Sequence, residues 1–215
     1  MNEDLTLDEL RERLAPEIAA NAAFDGWGDE ALAMTAEAAG VDPGVARLAF
    51  PGGAVDMIDA WFAHADRVML TSLPPDALAA AKIRERIAAL VEARLDAVAP
   101  DREALRRALA VLALPQNVAR AARLGWRTAD TIWRAAGDTA TDYNHYTKRA
   151  ILLGVYGATV TVFLDDESEG FADTRAFLRR RIDGIMRFEK AKAGFLKRSE
   201  RLPSLSRFVG RLRSR

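Results

Sequence analysis

Apolar residues recur at three- and four-residue steps along almost the whole chain. Leu7, Leu10, Leu14 and Ile18 keep to one helix face, as do Ile83, Ile87, Leu90, Val91 and Leu95, and also Leu105, Leu109 and Leu112. Phe177, Leu178, Ile182 and Ile185 repeat the habit, with Arg181 at the stripe's edge. Helices repeat every 3.6 residues and strands every two, so this spacing commits the chain to helices packed through apolar stripes. No alternating run is long enough for a strand. Breakers at Asp25-Gly26, Gly40, Pro51-Gly52-Gly53, Pro74-Pro75, Pro100, Pro115, Gly137-Asp138 and Pro203 divide the pattern. They leave about nine or ten helices of ordinary length. With half of the 215 residues apolar, such helices have material for a sizeable core. The expected class is all-α, with an N-terminal unit over 1–74, a larger bundle over 75–186 and a tail over 187–215.

The zero net charge hides an asymmetry. Residues 187–215 hold ten Lys/Arg against Glu189 and Glu200, a net of +8, so the remainder carries −8. A cationic tail on an acidic body points to an anionic partner. The chain has no cysteine, which excludes disulfides, thiolate nucleophiles and cysteine metal sites. Met1-Asn2-Glu3-Asp4 is acidic and fits neither a signal nor a transit peptide. The longest apolar run, from Ile151 to Leu164, is interrupted by Gly154, Gly157, Thr159 and Thr161. It falls short of the roughly 20 residues a bilayer requires and reads as a buried central helix.

Ala31-Leu32-Ala33-Met34, the Gly40 turn and Asp42 to Phe50 give a helix, a tight turn and a second helix. With Phe24-Asp25-Gly26-Trp27 before and Phe50-Pro51 after, the pattern resembles the head of TetR-type repressors. The chemistry for holding DNA is missing. Residues 1–66 contain three basic and fourteen acidic groups, and the second helix offers base edges only Arg47. Phosphate contacts rest on Lys and Arg, and base reading on polar or basic side chains, so no nucleic-acid partner is expected.

Catalytic patterns are sparse. His64 and His145 are the two histidines, and Asp142 with His145 has i, i+3 spacing. A di-metal bundle needs two such pairs and two further carboxylates. The glycines match neither a phosphate loop nor a dinucleotide fingerprint, and no serine elbow occurs. The residues therefore give no case for an enzyme, a metal or a cofactor.

The tail has a design of its own. Leu205, Phe208, Val209 and Leu212 fall on one helix face, and Arg207, Arg211 and Arg215 on a neighbouring one. Upstream, Phe188, Ala191, Phe195 and Leu196 alternate with Lys190, Lys192, Lys197 and Arg198. Such a segment buries its apolar face at a bilayer while its cations meet lipid phosphates. Phe195, Leu205, Phe208, Val209, Leu212, Arg207 and Arg211 are the expected membrane contacts.

The most specific stretch runs from Trp126 through Trp133 and Gly137-Asp138 to Tyr143-Asn144-His145-Tyr146-Thr147-Lys148-Arg149. Together with Phe24 to Trp27, Phe50 to Gly53, Lys82 to Ile87 and Thr174 to Leu178, it resembles the Coq-nine family of ubiquinone biosynthesis. The likeness extends over about residues 10 to 192. It implies a TetR-like fold without DNA binding, a homodimer, and an apolar pocket holding an isoprenoid or quinone lipid. It also implies a role assisting the demethoxyubiquinone hydroxylase, which takes its lipid substrate from the membrane. The family's docking patch maps to Gly137 through Tyr146, where His145 replaces the family's tryptophan. The expected docking residues are Asp142, Tyr143, Asn144, His145 and Tyr146 of this patch, together with Ile132, which clusters with the aromatics Trp133, Tyr143 and Tyr146 around the Gly137-Asp138 break. The expected lipid contacts are Ile151, Val155, Gly157, Ala158 and Phe163, on the helix whose glycines leave room beside the backbone. The expected location is cytoplasmic, peripheral on the inner face of a bacterial membrane. The alternative is a ligand-sensing regulator of the TetR type, using the same pocket to sense a lipid.

Overall fold

A computed structural model describes residues 5–139 and 143–200. Among them are ten α-helices and two 3-10 turns, and no strand. In chain order the helices are α1 Leu7–Asp25, α2 Asp29–Ala38, α3 Pro43–Ala49, α4 Ala54–Ser72, α5 Pro75–Ala80 and α6 Ile83–Val98. Then come α7 Arg102–Leu112, α8 Val118–Ala135, α9 Tyr143–Asp165 and α10 Ala172–Glu200.

Local chemistry sets the ends. Thr6 and Glu9 cap α1 reciprocally: Thr6 N–H donates to Glu9 Oε2 at 2.8 Å, and Glu9 N–H to Thr6 Oγ1 at 3.3 Å. The Thr6 hydroxyl, which donates to the same Glu9 Oε2 at 2.7 Å, and the Thr6 N–H together hold the Glu9 carboxyl below the ordinary glutamate range. Asp42 caps α3 through the Gly44 and Val45 amides. Gly40, at φ 66°, makes the left-handed turn between α2 and α3 that a side chain would strain. The helix-turn-helix geometry anticipated from the sequence is present.

One continuous apolar core runs from α1 to α10. The Pro74-Pro75 break separates α4 from α5 but does not divide the packing. α4 lies against α1 on one side and against α6 and α8 on the other. Trp27 joins head and bundle: its ring lies 5.4 Å from Trp61, and its Nε1 donates to Ala104 O of α7 at 2.9 Å. Leu14, Ile18, Met57, Ile58, Leu90 and Leu105 are sealed in this core. Full burial stabilises each by about 1.5–3 kcal/mol.

The bundle interior also carries charge. Arg94, 1% exposed, donates from Nε to Asp66 Oδ1 at 2.6 Å and from Nη1 to the Tyr156 hydroxyl. Its guanidinium lies over the Phe62 and Tyr156 rings at 5.2 and 5.1 Å. Burial pushes the Tyr156 phenol above its ordinary pKa. At the α9–α10 corner, Asp166 accepts from the backbone N–H and hydroxyl of both Ser168 and Thr174. Burial alone would raise its pKa, but those four bonds outweigh it and hold the carboxyl far below the ordinary range.

These contacts orient the long helices. The α9 C-terminus and the start of α10 sit beside α7, where Phe163 meets Phe171 at 4.8 Å and Arg102 donates to Asp166 O. That is the side of α7 held by Trp27 in the head. α9 and α10 therefore have their N-terminal and later segments, respectively, at the end away from the head. His145–Asp165 is long and apolar enough to cross a membrane by composition, with a mean hydropathy of 1.2. In this fold it packs against α6, α7, α8 and α10 as an element of the bundle.

Candidate functional site

At the end away from the head, α6, α8, α9 and α10 converge on an apolar cavity of about 80 Å³. Ile83 and Ile87 come from α6, Trp133 from α8, Ile151, Leu152 and Val155 from α9, and Ile182 and Ile185 from α10. Arg84 is the only polar residue of the lining. The periodicity explains the convergence. Residues 83 and 87, 151 and 155, and 182 and 185 are one turn apart on their helices, so each pair projects from one face.

Two of the five expected lipid contacts, Ile151 and Val155, line this cavity. The other three do not. Gly157 lies on the opposite, exposed face of α9, because two residues beyond Val155 is about 200° around a helix. Nothing lies within 4 Å of a Cβ placed at Gly154 or Gly157, so the room these glycines leave opens outward and not into the cavity. Ala158 is half-buried outside the lining. Phe163, fully buried, is two turns further on and packs against Phe171.

The docking segment also divides. Ile132 is fully buried on the inward stripe of α8 with Thr128, Ala129 and Ala136, so it belongs to the core and not to a docking surface. Tyr146 is 62% exposed and stacks obliquely on Trp126 at 6.0 Å, with His145 edge-on to it at 5.1 Å. Asp142 and the side chains of Tyr143 and Asn144 lie outside the described residues. So do the side chain of Phe195 and all of Leu205, Arg207, Phe208, Val209, Arg211 and Leu212. The backbone of α10 continues unbroken across residue 187, where the basic tail begins.

An acid clamp fixes the start of α9. Arg149, 1% exposed, reaches Asp130 Oδ1 of α8 at 2.6 Å and Asp138 Oδ2 at 3.1 Å. Lys148 reaches Asp138 Oδ1 at 2.6 Å, lies over the Trp133 ring at 5.3 Å, and its carbonyl accepts from Trp133 Nε1 at 3.0 Å. Arg86 adds a backbone tie, donating to the carbonyls of Ala79, Ala81 and Ala136. The cavity wall at Trp133, the half-buried His145 and the exposed Tyr146 are thus parts of one corner tied together by ion pairs and hydrogen bonds. Sequence reasoning missed Asp130, Asp138 and Arg149. Their signal is a charge placed on an otherwise inward stripe, which demands a buried partner. The geometry gathers no metal set: among the described residues no group of three or more His, Asp or Glu is placed to hold an ion.

Comparison with known proteins shows what this corner is similar to. Residues 118–189 match the family model described as COQ9. Over 96 residues, 45% of this chain, the sequence is 44% identical to ubiquinone biosynthesis protein COQ9, mitochondrial, of Rattus norvegicus, of which that covers 31%. Over 187 residues, 85% of the chain, it is 27% identical to the protein of the same name of Drosophila melanogaster, of which that covers 57%. The chain thus spans a third to little more than half of these relatives. Among solved structures, the TetR transcriptional regulator of Nitrosomonas europaea superposes with a TM-score of 0.66 at 27% identity. It covers 81% of this chain and 96% of that one. The fold is TetR-like and all-helical. Residues 118–189, which build α8, the acid clamp, α9 and the α10 wall of the cavity, are thus the part of the chain that is similar to the COQ9 family.

Proposed function

We propose that this chain is a non-catalytic lipid-binding accessory protein of ubiquinone biosynthesis. In this account it takes an isoprenoid intermediate from the membrane, holds its apolar chain against α6, α9 and α10, and presents it to the demethoxyubiquinone hydroxylase. The observation that carries the proposal is the apolar cavity at the end away from the head, walled by Ile151 and Val155 on one side and Ile182 and Ile185 on the other. A cavity lined by apolar side chains favours a ligand without polar groups to satisfy. At about 80 Å³ it holds a short apolar segment, so a full prenyl chain requires the later part of α10 to move outward. Arg175 anchors the opposite part of α10 to Glu92 and Asp96 at 2.9 and 2.7 Å, which lets the later part open without loss of the corner.

The same helix leads into the basic tail, and this supports contact with an anionic bilayer at the cavity end. Tyr146 and His145, held by the acid clamp, form the proposed hydroxylase contact. The exposed small residues Ala150, Gly154 and Gly157 of α9 form the proposed contact between two protomers. The proposed location is the inner face of a bacterial cytoplasmic membrane.

The likeness to a transcriptional regulator favours a second reading, a lipid-responsive repressor. The head opposes it: α3 turns Val45 and Leu48 outward, and the fourteen acidic groups of residues 1–66 repel phosphate. Native mass spectrometry of protein purified from a quinone-producing host decides the matter. The proposal expects a co-purified isoprenoid lipid, absent from a folded Val155→Trp variant. Lipid-free protein, or sequence-specific operator binding that survives high salt, would reject it.

A further inference from the structure

The side of α8 that the bundle leaves uncovered carries two unlike rows. Val118, Ala122 and Trp126 stand four residues apart and form an apolar row. Val118 is 54% exposed, Ala122 is exposed and Trp126 is half-buried. Arg120, Arg123 and Arg127 follow the three- and four-residue steps of a neighbouring row. The stripe packed into the bundle is a different one, with Leu124, Thr128 and Ile132. The apolar row ends where Trp126 meets Tyr146, 6.0 Å between ring centres.

The three arginines border a groove of about 410 Å³ between α4 and α8, lined also by Asp59 and Leu124. Carboxylates of α4 hold two of them. Arg120 Nη2 donates to Asp56 Oδ1, Arg127 Nη1 to Asp59 Oδ1, and Arg127 Nη2 to the Asp59 carbonyl at 3.2 Å. More than a third of each of these two side chains still faces solvent. Arg120 spends one N–H on the protein, so the rest of its fork of donors is free. Arg123, exposed between them, makes no ion pair or hydrogen bond among the described residues. α4 thus orients two guanidinium groups and leaves the third uncompensated. The result is a positive spot on a body whose residues 1–186 sum to −8.

The composition indicates what covers the strip. It holds Arg and Trp but no Lys, the bias of interface centres. A free oxyanion would satisfy the arginines and leave the apolar row wet. A nucleic acid or an anionic bilayer would meet Asp56, Asp59 and the acidic body together with the arginines. An α-helix with an apolar row beside an acidic one covers both rows at once, because its periodicity is that of α8.

We propose that the outer face of α8 is a docking surface for an acidic amphipathic helix of a partner protein. Its apolar side chains lie on Val118, Ala122 and Trp126, and its carboxylates enter the α4–α8 groove to meet Arg123 and the free donors of Arg120. The surface lies upstream of the segment from Gly137 to Tyr146 and does not depend on the lipid cavity.

Fluorescence anisotropy on the full-length chain tests this with a labelled helical peptide of about four turns, carrying leucines in one row and glutamates in the next, and with its counterpart bearing lysines for the glutamates. The glutamate peptide should bind at least about tenfold more tightly than the lysine peptide, the scale of one interface hot spot, and should weaken as salt rises. Arg123→Glu and Val118→Asp, both at exposed positions, should each weaken it by about tenfold with circular dichroism unchanged. A glutamate peptide that does not bind, or binds no better than the lysine peptide, overturns the proposal. So does equal binding to both variants and the native chain, which would put the peptide on the basic tail instead. Complete displacement by inorganic pyrophosphate at constant ionic strength overturns it too, in favour of a small-anion site. The ratio of the two peptides on the native chain decides the matter even where a variant folds poorly.

Discussion

The most informative perturbation of the bundle is Asp66→Ala. Asp66 is the carboxylate partner of Arg94, which is 1% exposed and cannot reach water without disrupting α4, α6 and α9. Removing the carboxylate leaves a buried guanidinium held only by the Tyr156 hydroxyl and two aromatic faces. Breaking a buried ion pair from one side costs about 3–5 kcal/mol. For a chain of this size each kcal/mol moves Tm by about 2–4 °C, so the midpoint should fall by roughly 6–20 °C. Replacing the whole group with apolar side chains of similar volume (Asp66→Leu, Arg94→Met, Tyr156→Phe) should recover to within about 2 kcal/mol of native, because no charge is then left without a partner. Thermal and urea unfolding followed by circular dichroism measure both. A loss under about 1 kcal/mol in Asp66→Ala, or a triple variant no better than the single, would refute the claim that the cost lies in an orphaned charge.

Three further outcomes follow from particular contacts. Because nothing lies within 4 Å of a Cβ at Gly157, Gly157→Ala should stabilise the protomer by about 1 kcal/mol through helix propensity, seen as a raised Tm, and Gly157→Leu should split the proposed dimer in analytical ultracentrifugation. Asp166 has its pKa depressed by folding, so its contribution is complete above the unfolded aspartate value near 4 and is lost as pH falls below it. Asp166→Asn should therefore cost stability at pH 7 and reduce the acid sensitivity seen below about pH 4 in urea titrations. Tyr146→Ala should leave the unfolding free energy within about 0.5 kcal/mol of native, since the ring is 62% exposed, while weakening hydroxylase capture in a pull-down; an unchanged pull-down removes this residue from the docking patch.

Helix stripes carried most of the fold in the sequence. Leu10, Leu14 and Ile18, or Leu90, Val91 and Leu95, are buried where 3.6-residue spacing puts them, and Gly40 turns where it alone is unstrained. Leu7 and Ile83 are on the same stripes yet exposed at 46% and 41%, because each opens its helix, where the neighbours no longer cover it. What failed to show was pairing between helices. Arg94 sits at an inward position of α6, but nothing in a linear pattern says that Asp66 of α4 meets it. The same holds for Arg149 with Asp130 and Asp138. The candidate site was half legible for a related reason. Apolar content marked the helix from Ile151 onward, but not which of its faces turns toward α6 and α10, so Ile151 and Val155 were placed in the cavity and Gly157 on the wrong side. Ile132 was mistaken for surface because an aromatic-rich neighbourhood signals an interface and a core corner equally.

Photo-crosslinking addresses the central claim directly. A farnesyl phenol carrying a diazirine at the end of its chain, bound to the full-length protein and irradiated, labels whatever surrounds the apolar end of the ligand. The account predicts adducts, mapped by peptide mass spectrometry, at Ile87, Trp133, Ile151, Val155, Ile182 or Ile185, and their loss in competition with unlabelled farnesyl phenol. Adducts concentrated on the head, or on the outer α9 face at Gly154 and Gly157, would contradict it.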